Sequence, residues 1–556
     1  MKKSSLVLSL ILTMVVLFSL LGCDSIDNIL DSDNEITEAE ALRELESFVN
    51  SINPNVAEPV RGVDTNFNTL EDILPDIDEF FPMTLVGGNQ VSAEIFVAPE
   101  RGGQGVDELW MNLAEQFNGE GFTINGQTVS VSIRTISSGI GFDYIQAGVH
   151  IPDGYSPSTG LWGQMLTASN VPFNTVSERT AGDVSGFLMR ESIYDQIVND
   201  HGEVSFSTVV NAVKNDGLLL GYTNPFVSSV GIDFLVSLMH YFDYDNPMSQ
   251  DAISSLHEFQ SHIPQSFFNT LQLRNVAGTG GIDIMTVGYQ LYTNVPEWGS
   301  GYVFVPFGVR QDAPLYTLTS GIESEIVELF AEFVLSDENQ EMATDLGFNN
   351  LNDFDSEISV SDNVVFSIQQ TWSENRDGNR PTMAVFVADV SGSMMGAPIN
   401  ALRDSLLNSA QYINDSTYVG LVSYHTDVTI EVPIRRFDSE QRSYFVGHVQ
   451  NLEPLGQTAT FDATLVALNM IKEEMETNPN VRPIIFLLSD GETNRGNTLE
   501  RITPIVEALG VPVITIGFND EFPELEALSE INEGISINAI NDDLMYHLRN
   551  LFNAGM

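Results

Sequence analysis

Two short apolar runs stand out in the last third of the chain. Met383-Ala384-Val385-Phe386-Val387-Ala388 and Pro483-Ile484-Ile485-Phe486-Leu487-Leu488 are continuous rather than alternating. That is the pattern of parallel strands buried on both faces. Between them an apolar-periodic segment, Phe461 to Ile471, predicts a helix. The middle of the chain begins differently. Val91 to Ala98 alternates, a glycine-rich turn follows at Arg101-Gly102-Gly103, and Val106 to Phe117 reads as a helix. Thr128 to Thr135 alternates again and ends in Ser137-Ser138-Gly139. This β-α-β order predicts a parallel sheet with a binding edge.

Chemistry gathers where the two buried runs end. Asp389-Val390-Ser391-Gly392-Ser393 leaves the first with three oxygen side chains at alternate positions in a glycine-containing turn. Hard cations such as Mg²⁺ take oxygen ligands and keep several waters. A D-x-S-x-S turn supplies a partial shell and leaves a position open, so it predicts a metal site able to grip a carboxylate from a partner. The second run ends in Ser489-Asp490-Gly491, which puts Asp490 at the same sheet edge. Gly456-Gln457-Thr458 places Thr458 at a loop-to-helix junction. Ligands of open α/β sheets collect beyond the carboxyl ends of strands.

With those residues, the segment from about 381 to 556 resembles a von Willebrand factor A domain with a metal-ion-dependent adhesion site. The resemblance implies Mg²⁺ or Mn²⁺ held by Asp389, Ser391, Ser393, Thr458 and Asp490, directly or through water. The family usually has Gly-Gly-Thr where this chain has Gly456-Gln457-Thr458, which leaves Thr460 as the alternative ligand. The remaining elements fit. Tyr418 to Tyr424 and Val511 to Ile516 read as strands, and Ile399 to Ile413, Thr498 to Leu509 and Asp542 to Phe552 read as helices.

The start of the chain changes the expected location. Lys2 and Lys3 precede the apolar run Leu6 to Leu21, the pattern of a secretory signal and too short for a spanning helix. Leu20-Leu21-Gly22-Cys23 resembles a bacterial lipobox, which implies cleavage before Cys23 and acylation of its thiol. Cys23 is the only cysteine, so disulfides, thiolate metal sites and thiol catalysis are excluded. Residues 1–22 are thus expected to be a signal peptide, with the mature chain lipid-anchored on the outer face of the cytoplasmic membrane. Residues 23–85, acidic and with Pro54, Pro59, Pro75 and Pro82, read as a stalk with one short helix over Ala39 to Val49.

Net charge is −55, and after Lys2 and Lys3 lysine occurs only at Lys214 and Lys472. Such a surface repels nucleic acid and anionic lipid, so membrane contact is expected through the lipid anchor only. The acidity suits a saline or alkaline medium, or simply solubility.

Residues 91–350 carry three further phrases: Pro152-Asp153-Gly154-Tyr155-Ser156-Pro157-Ser158 before Trp162, Gly221-Tyr222-Thr223-Asn224-Pro225-Phe226 leading through Ser228, and Leu335-Ser336-Asp337-Glu338 running to Gly347-Phe348. Together they resemble bacterial extracellular solute-binding proteins, two-lobed and hinge-closing. The resemblance implies a solute held near Ser137, Ser138, Ser156, Thr223, Asn224 and Ser228. Helix N-termini with hydroxyls suit anions, but the same residues cap helices with no ligand present. A binding fold retired to a spacer is the other reading. Residues 351–380 form a connector with a strand candidate at Asn363 to Gln370.

The expected fold class is therefore α/β: a two-lobed periplasmic-binding-protein-like domain followed by a doubly wound, Rossmann-like A domain. Other motifs fail. His257 and His262 are i and i+5, roughly 140° apart around a helix, where a zinc-protease helix needs i and i+4. Gly278-Thr279-Gly280-Gly281 lacks the lysine of a phosphate loop. No serine-histidine-acid set emerges, and no general base lies near the metal motif. The expectation is a non-enzymatic protein that binds a partner's Asp or Glu through its metal, with solute capture for transport or sensing as the alternative.

Overall fold

The computed structural model describes residues 36–62, 74, 76–103, 105–263, 273, 282–299, 301–356, 358, 360, 363–375, 380–410, 413, 416–491, 493–518, 523–532, 534 and 536–538. The expected signal, Cys23, the loop at Gly278-Gly281 and the helix expected over Asp542 to Phe552 lie outside them.

The first element is a helix, α1 (Glu38–Ile52), with Thr37 and Glu40 forming a capping box. A two-residue strand follows, β1 (Asn55–Val56). Their partners come at the other end of the chain.

Residues 91–350 build two mixed sheets. Strands β2 (Val91–Val97), β3 (Thr123–Ile124), β4 (Gln127–Thr135), β5 (Gly154–Ser156), β6 (Asn174–Ser177) and β11 (Leu315–Thr317) form the first, in the order β3-β4-β2-β5-β11-β6. Between β6 and β11 the chain lays down β7 (Asp183–Arg190), β8 (Leu220–Gly221), β9 (Ile284–Gly288) and β10 (Tyr302–Gln311), in the order β10-β7-β9-β8. The chain thus crosses between lobes at 178–182 and again at 312–314. The crossings are tied by Thr180 Oγ1 donating to the Ala313 carbonyl at 2.6 Å. The sequence resolves the second lobe poorly, because its strands come from distant segments and pair mostly antiparallel.

The lobes meet through α2 (Ser138–Ala147) and α3 (Ser229–Phe242). One apolar cluster runs through both, from Phe96, Ile136, Tyr155 and Trp162 to Tyr222, Val227 and Phe234. The expected strand at Asn363 to Gln370 is instead helix α4 (Val364–Asn375). The run is rich in β-branched and aromatic residues, but Val365, Ile368 and Trp372 are its fully buried apolar positions, spaced three and four apart. That spacing makes one helical face. This face closes over both lobes. Phe366 meets Phe142, Gln369 donates to the Pro225 carbonyl at 2.8 Å, and Trp372 donates to the Tyr222 hydroxyl at 2.7 Å.

The C-terminal unit is a seven-stranded sheet in the order β1-β14-β13-β12-β15-β16-β17. Its strands are β12 (Thr382–Asp389), β13 (Tyr418–Tyr424), β14 (Val428–Arg436), β15 (Arg482–Ser489), β16 (Val513–Gly517) and β17 (Ser536–Asn538), with β1 supplied by the N-terminal segment. β13, β12, β15, β16 and β17 are parallel, and β14 is antiparallel to β13. Helices α5 (Ala397–Ser409), α6 (Ser439–Gln450), α7 (Thr460–Thr477) and α8 (Leu499–Leu509) cover both faces. Along β12, Met383, Val385 and Val387 enter one apolar cluster, and Ala384, Phe386 and Ala388 enter the other. A strand buried on both sides reads as a continuous apolar run, and that is why this unit was legible.

The stalk expected over 23–85 is corrected for residues 36–62. Ala41 and Leu45 are buried with residues of α7 and α8, and Arg501 stacks on Phe48. β1 then pairs in parallel with β14 at its edge. Beyond it the chain reaches the opposite face: Val60 N–H donates to His448 Nε2 at 3.2 Å, and Arg61 meets Glu440 at 2.5 Å and the Tyr444 ring. Prolines and acidity suggested a solvated tether. The apolar stripe of one short helix and one free sheet edge outweighed them.

Candidate functional site

Parallel β12 and β15 end side by side, which sets Asp389 and Asp490 on adjoining turns. The Ser391 N–H donates to Asp389 Oδ1 at 2.7 Å, folding the turn back on its own carboxylate. Ser489 Oγ donates to Asp389 Oδ2 at 2.6 Å. Ser391 and Ser393 hydroxyls lie 3.0 Å apart, and Ser393 Oγ donates to Asp490 Oδ1 at 2.7 Å. Four of the five expected ligands are thus joined in one chain of hydrogen bonds. Asp389 is fully buried and Ser393 exposed, so the cluster opens to solvent on the Ser393 side.

Thr458 reaches the same edge through its loop. Leu455 N–H donates to the Val390 carbonyl at 2.7 Å, and Gly392 N–H to the Gly456 carbonyl at 3.2 Å. Thr458 is fixed by Asn494, whose side chain accepts from Thr458 N–H at 3.0 Å and whose N–H donates to the Thr458 carbonyl at 3.1 Å. The Thr458 hydroxyl has no hydrogen-bond partner among the described residues. Thr460, the alternative, is buried against Tyr424 at the start of α7.

Burial pushes the Asp389 carboxyl above its ordinary value, the neighbouring Asp490 adds to this, and the Ser489 and Ser391 bonds oppose it. Burial likewise raises Asp490, against the Ser393 bond. Tyr424, buried beside Asp389, is driven well up by burial and then by that charge. Asp389 makes no ion pair among the described residues. Burying an uncompensated carboxylate is costly. Carboxylates bridged by hydroxyls form the donor set a hard divalent cation takes, so the residues fit Mg²⁺ or Mn²⁺. No group of three His, Cys, Asp or Glu among the described residues is placed to hold a metal, so any such centre depends on these hydroxyls. Sequence reasoning missed Ser489 and Asn494. Ser489 had a signal, since it directly precedes Asp490, but Asn494 reaches the site only through tertiary folding.

The expected solute residues fall at the lobe junction and are mostly engaged internally. Ser138 Oγ accepts from Ser158 N–H at 3.2 Å and from Ser229 Oγ at 3.1 Å, and Ser229 in turn accepts from Trp162 Nε1 at 3.0 Å. Ser156 donates to the Pro314 carbonyl at 2.8 Å and accepts from Arg101 at 2.8 Å. Thr223 donates to Ser228, whose hydroxyl caps α3, and Asn224 accepts from Phe226 N–H. Ser137 precedes α2 without a capping bond. A cavity of about 30 Å³ lies between the lobes, lined by Glu100, Arg101, Ser158, Asp183, Gln290 and Gln311 among others, and by none of the six. It has room for one or two waters. Burial lowers Arg101 to about 10 and raises Asp183 to about 7.

Residues 384–553 match the family described as von Willebrand factor type A domain. Among curated proteins, inter-alpha-trypsin inhibitor heavy chain H3 of Bos taurus is 31% identical over 169 residues, 28% of this chain and 19% of that protein. The human heavy chain H3 is 26% identical over 166 residues, with the same coverage. The matched segment therefore spans about a fifth of these relatives. Among solved structures, a von Willebrand factor type A protein from Catenulispora acidiphila is 18% identical with a TM-score of 0.29, covering 32% of this chain and 43% of that one. A periplasmic thiamin binding protein is 10% identical with a TM-score of 0.39, covering 52% and 98%. The C-terminal unit is a von Willebrand factor A domain, and the whole chain is mixed α/β.

Proposed function

We propose that this protein is an extracytoplasmic adhesion or assembly factor, lipid-anchored through Cys23, that grips a carboxylate of a protein partner through a divalent cation on its A domain. The convergence of Asp389, Ser391, Ser393 and Asp490 at one strand edge, with the Thr458 loop tied beside them, is the observation that carries this reading. A Mg²⁺ or Mn²⁺ ion bound there would offer an open coordination position to an Asp or Glu side chain. The chain's own part is to bury one end of Asp389, fix it with Ser489, and leave the Ser393 side open. One such bond gives register, and the surrounding face supplies area. Among the described residues no helix is long and apolar enough to cross a membrane.

Calorimetry with Mg²⁺ and Mn²⁺ on residues 24–556, beside Asp389→Ala, tests the site. The control is necessary because a chain of charge −55 binds cations loosely everywhere. Saturable binding lost in the variant supports the reading. Equal binding by both proteins would overturn it.

Solute capture is the second reading, favoured by the polar cavity between the lobes. With room for one or two waters it demands that the lobes open first.

A further inference from the structure

The face around the metal cluster has its own apolar and charged composition, and that composition selects among partners. Within the described residues of 380–538 the large hydrophobic side chains that stand exposed are Met395, at 71%, and Leu455, at 65%. Both lie on the site loops. Met395 is two residues beyond Ser393, and Leu455 donates its N–H to the Val390 carbonyl at 2.7 Å, which holds the two loops together. Among the described residues this unit buries or half-buries its other large hydrophobics, mostly on the two faces of its sheet, so two exposed ones at the mouth of one site ask for a cover. Beside them Arg495 is exposed, with its N–H donated to the Thr458 carbonyl at 3.2 Å. Its guanidinium makes no ion pair among the described residues. The chain has 22 basic residues against 77 acidic ones, so an unpaired arginine at this rim is a local reversal of sign. Exposed Asp427 and Glu453 border the adjoining loops and keep the rest of the rim negative.

We propose that the partner presents an acidic residue with a bulky apolar side chain next to it and a second acidic residue close by. The first carboxylate meets the cation, the apolar side chain packs against Met395 and Leu455, and the second acid pairs with Arg495. Carboxylate–metal binding alone would accept any exposed Asp or Glu. The apolar pair and the arginine convert it to recognition of a short acidic–apolar segment, with hydrophobic contact supplying affinity and the rim charge supplying selectivity. This inference rests on the metal-dependent reading above.

The test is a display library of heptapeptides with a fixed central Asp, bound to residues 24–556 in Mg²⁺ and released with EDTA. The expected outcome is enrichment of aliphatic or aromatic residues beside the fixed acid and of a second acid. Affinity of the selected peptides should fall at least about fivefold in Leu455→Ser and in Met395→Ser. Arg495→Ala should weaken only peptides carrying the second acid. Mg²⁺ affinity and thermal midpoint stay unchanged in all three variants, because the side chains are exposed. EDTA-released peptides without this pattern, or indifferent to the variants, would overturn the rim assignment and leave the metal site standing. An absence of EDTA-released peptides overturns it as well. If Mg²⁺ binding is then also independent of Asp389, the failure lies in the underlying adhesion reading.

Discussion

Leu45→Ala separates a tether from a structural clasp. Leu45 is 1% exposed, in one cluster with residues of β12, α7 and α8, although more than 300 residues separate it from them in sequence. Removing a buried leucine side chain costs about 3 kcal/mol in lost transfer energy and residual cavity. For a unit of this size that is a fall of about 8 °C in its melting temperature. The chain has several units, so the assay is calorimetry, which resolves the A-domain transition from that of the lobes. Leu42→Ala on the same helix, at a position 38% exposed, controls for helix propensity and should move the transition by less than about 0.5 kcal/mol. A solvated stalk predicts no shift for either variant. If Leu45→Ala leaves the A-domain transition as unmoved as Leu42→Ala does, α1 does not pack as described and the clasp is refuted.

Three further outcomes follow from named contacts. Ser489→Ala frees Asp389 Oδ2 without removing an expected ligand and should weaken Mg²⁺ binding by about tenfold in calorimetry, the usual range for a supporting hydrogen bond. Asp233, buried in α3, is held at about 7 by burial against an ordinary 3.8. The folded chain therefore keeps a proton the unfolded chain has lost, and stability of the lobes falls by about 1.4 kcal/mol per pH unit between those values, then levels off. Asp233→Asn should remove that part of the slope in urea midpoints and stabilise more at pH 8 than at pH 4, while Asp183, raised to about 7 by the same cause, retains its share. At Gly139 a Cβ would lie 2.0 Å from the Phe226 carbonyl and 2.7 Å from the Trp162 ring, so Gly139→Ala should part the lobes. The check is a larger radius of gyration by X-ray scattering, and an unchanged radius with an unchanged melting curve would count against tight closure.

How much of this was legible depended on whether a segment's partners were local. β12 and β15 declared themselves because burial on both faces leaves few polar positions, and Asp389 and Asp490 could be singled out because they stand at the ends of such runs, Asp490 with only Ser489 between it and Leu488. α4 was misread because Asn363-Val364-Val365-Phe366 looks like a strand by side-chain shape. The three-four spacing of Val365, Ile368 and Trp372 becomes decisive only once two lobes exist for that face to cover. The clasp was hidden for a related reason. Ala41 and Leu45 make a narrow stripe on an acidic helix, and a two-residue strand has no periodicity to detect. Asn494 and Ser489 illustrate the same limit at the site: a residue that positions a ligand is defined by where the chain returns, which spacing along one segment does not encode.

The contacts of α1 also set how it runs relative to the site. α7 begins at Thr460, beside the site, and runs away from it. Lys472, twelve residues along, lies about 18 Å further down the helix axis. Its ammonium donates to the carbonyl of Leu509, the far end of α8, and meets Glu38 at the start of α1. The other end of α1 lies nearer the site, since Phe48 sits under Arg501 in the first turn of α8. α1 is therefore antiparallel to α7, and its first turn, at Glu38, lies at the pole of the A domain opposite the oxygen cluster. This packing also predicts that removing residues 36–56 lowers the A-domain melting temperature in calorimetry, and an unmoved transition would count against the clasp.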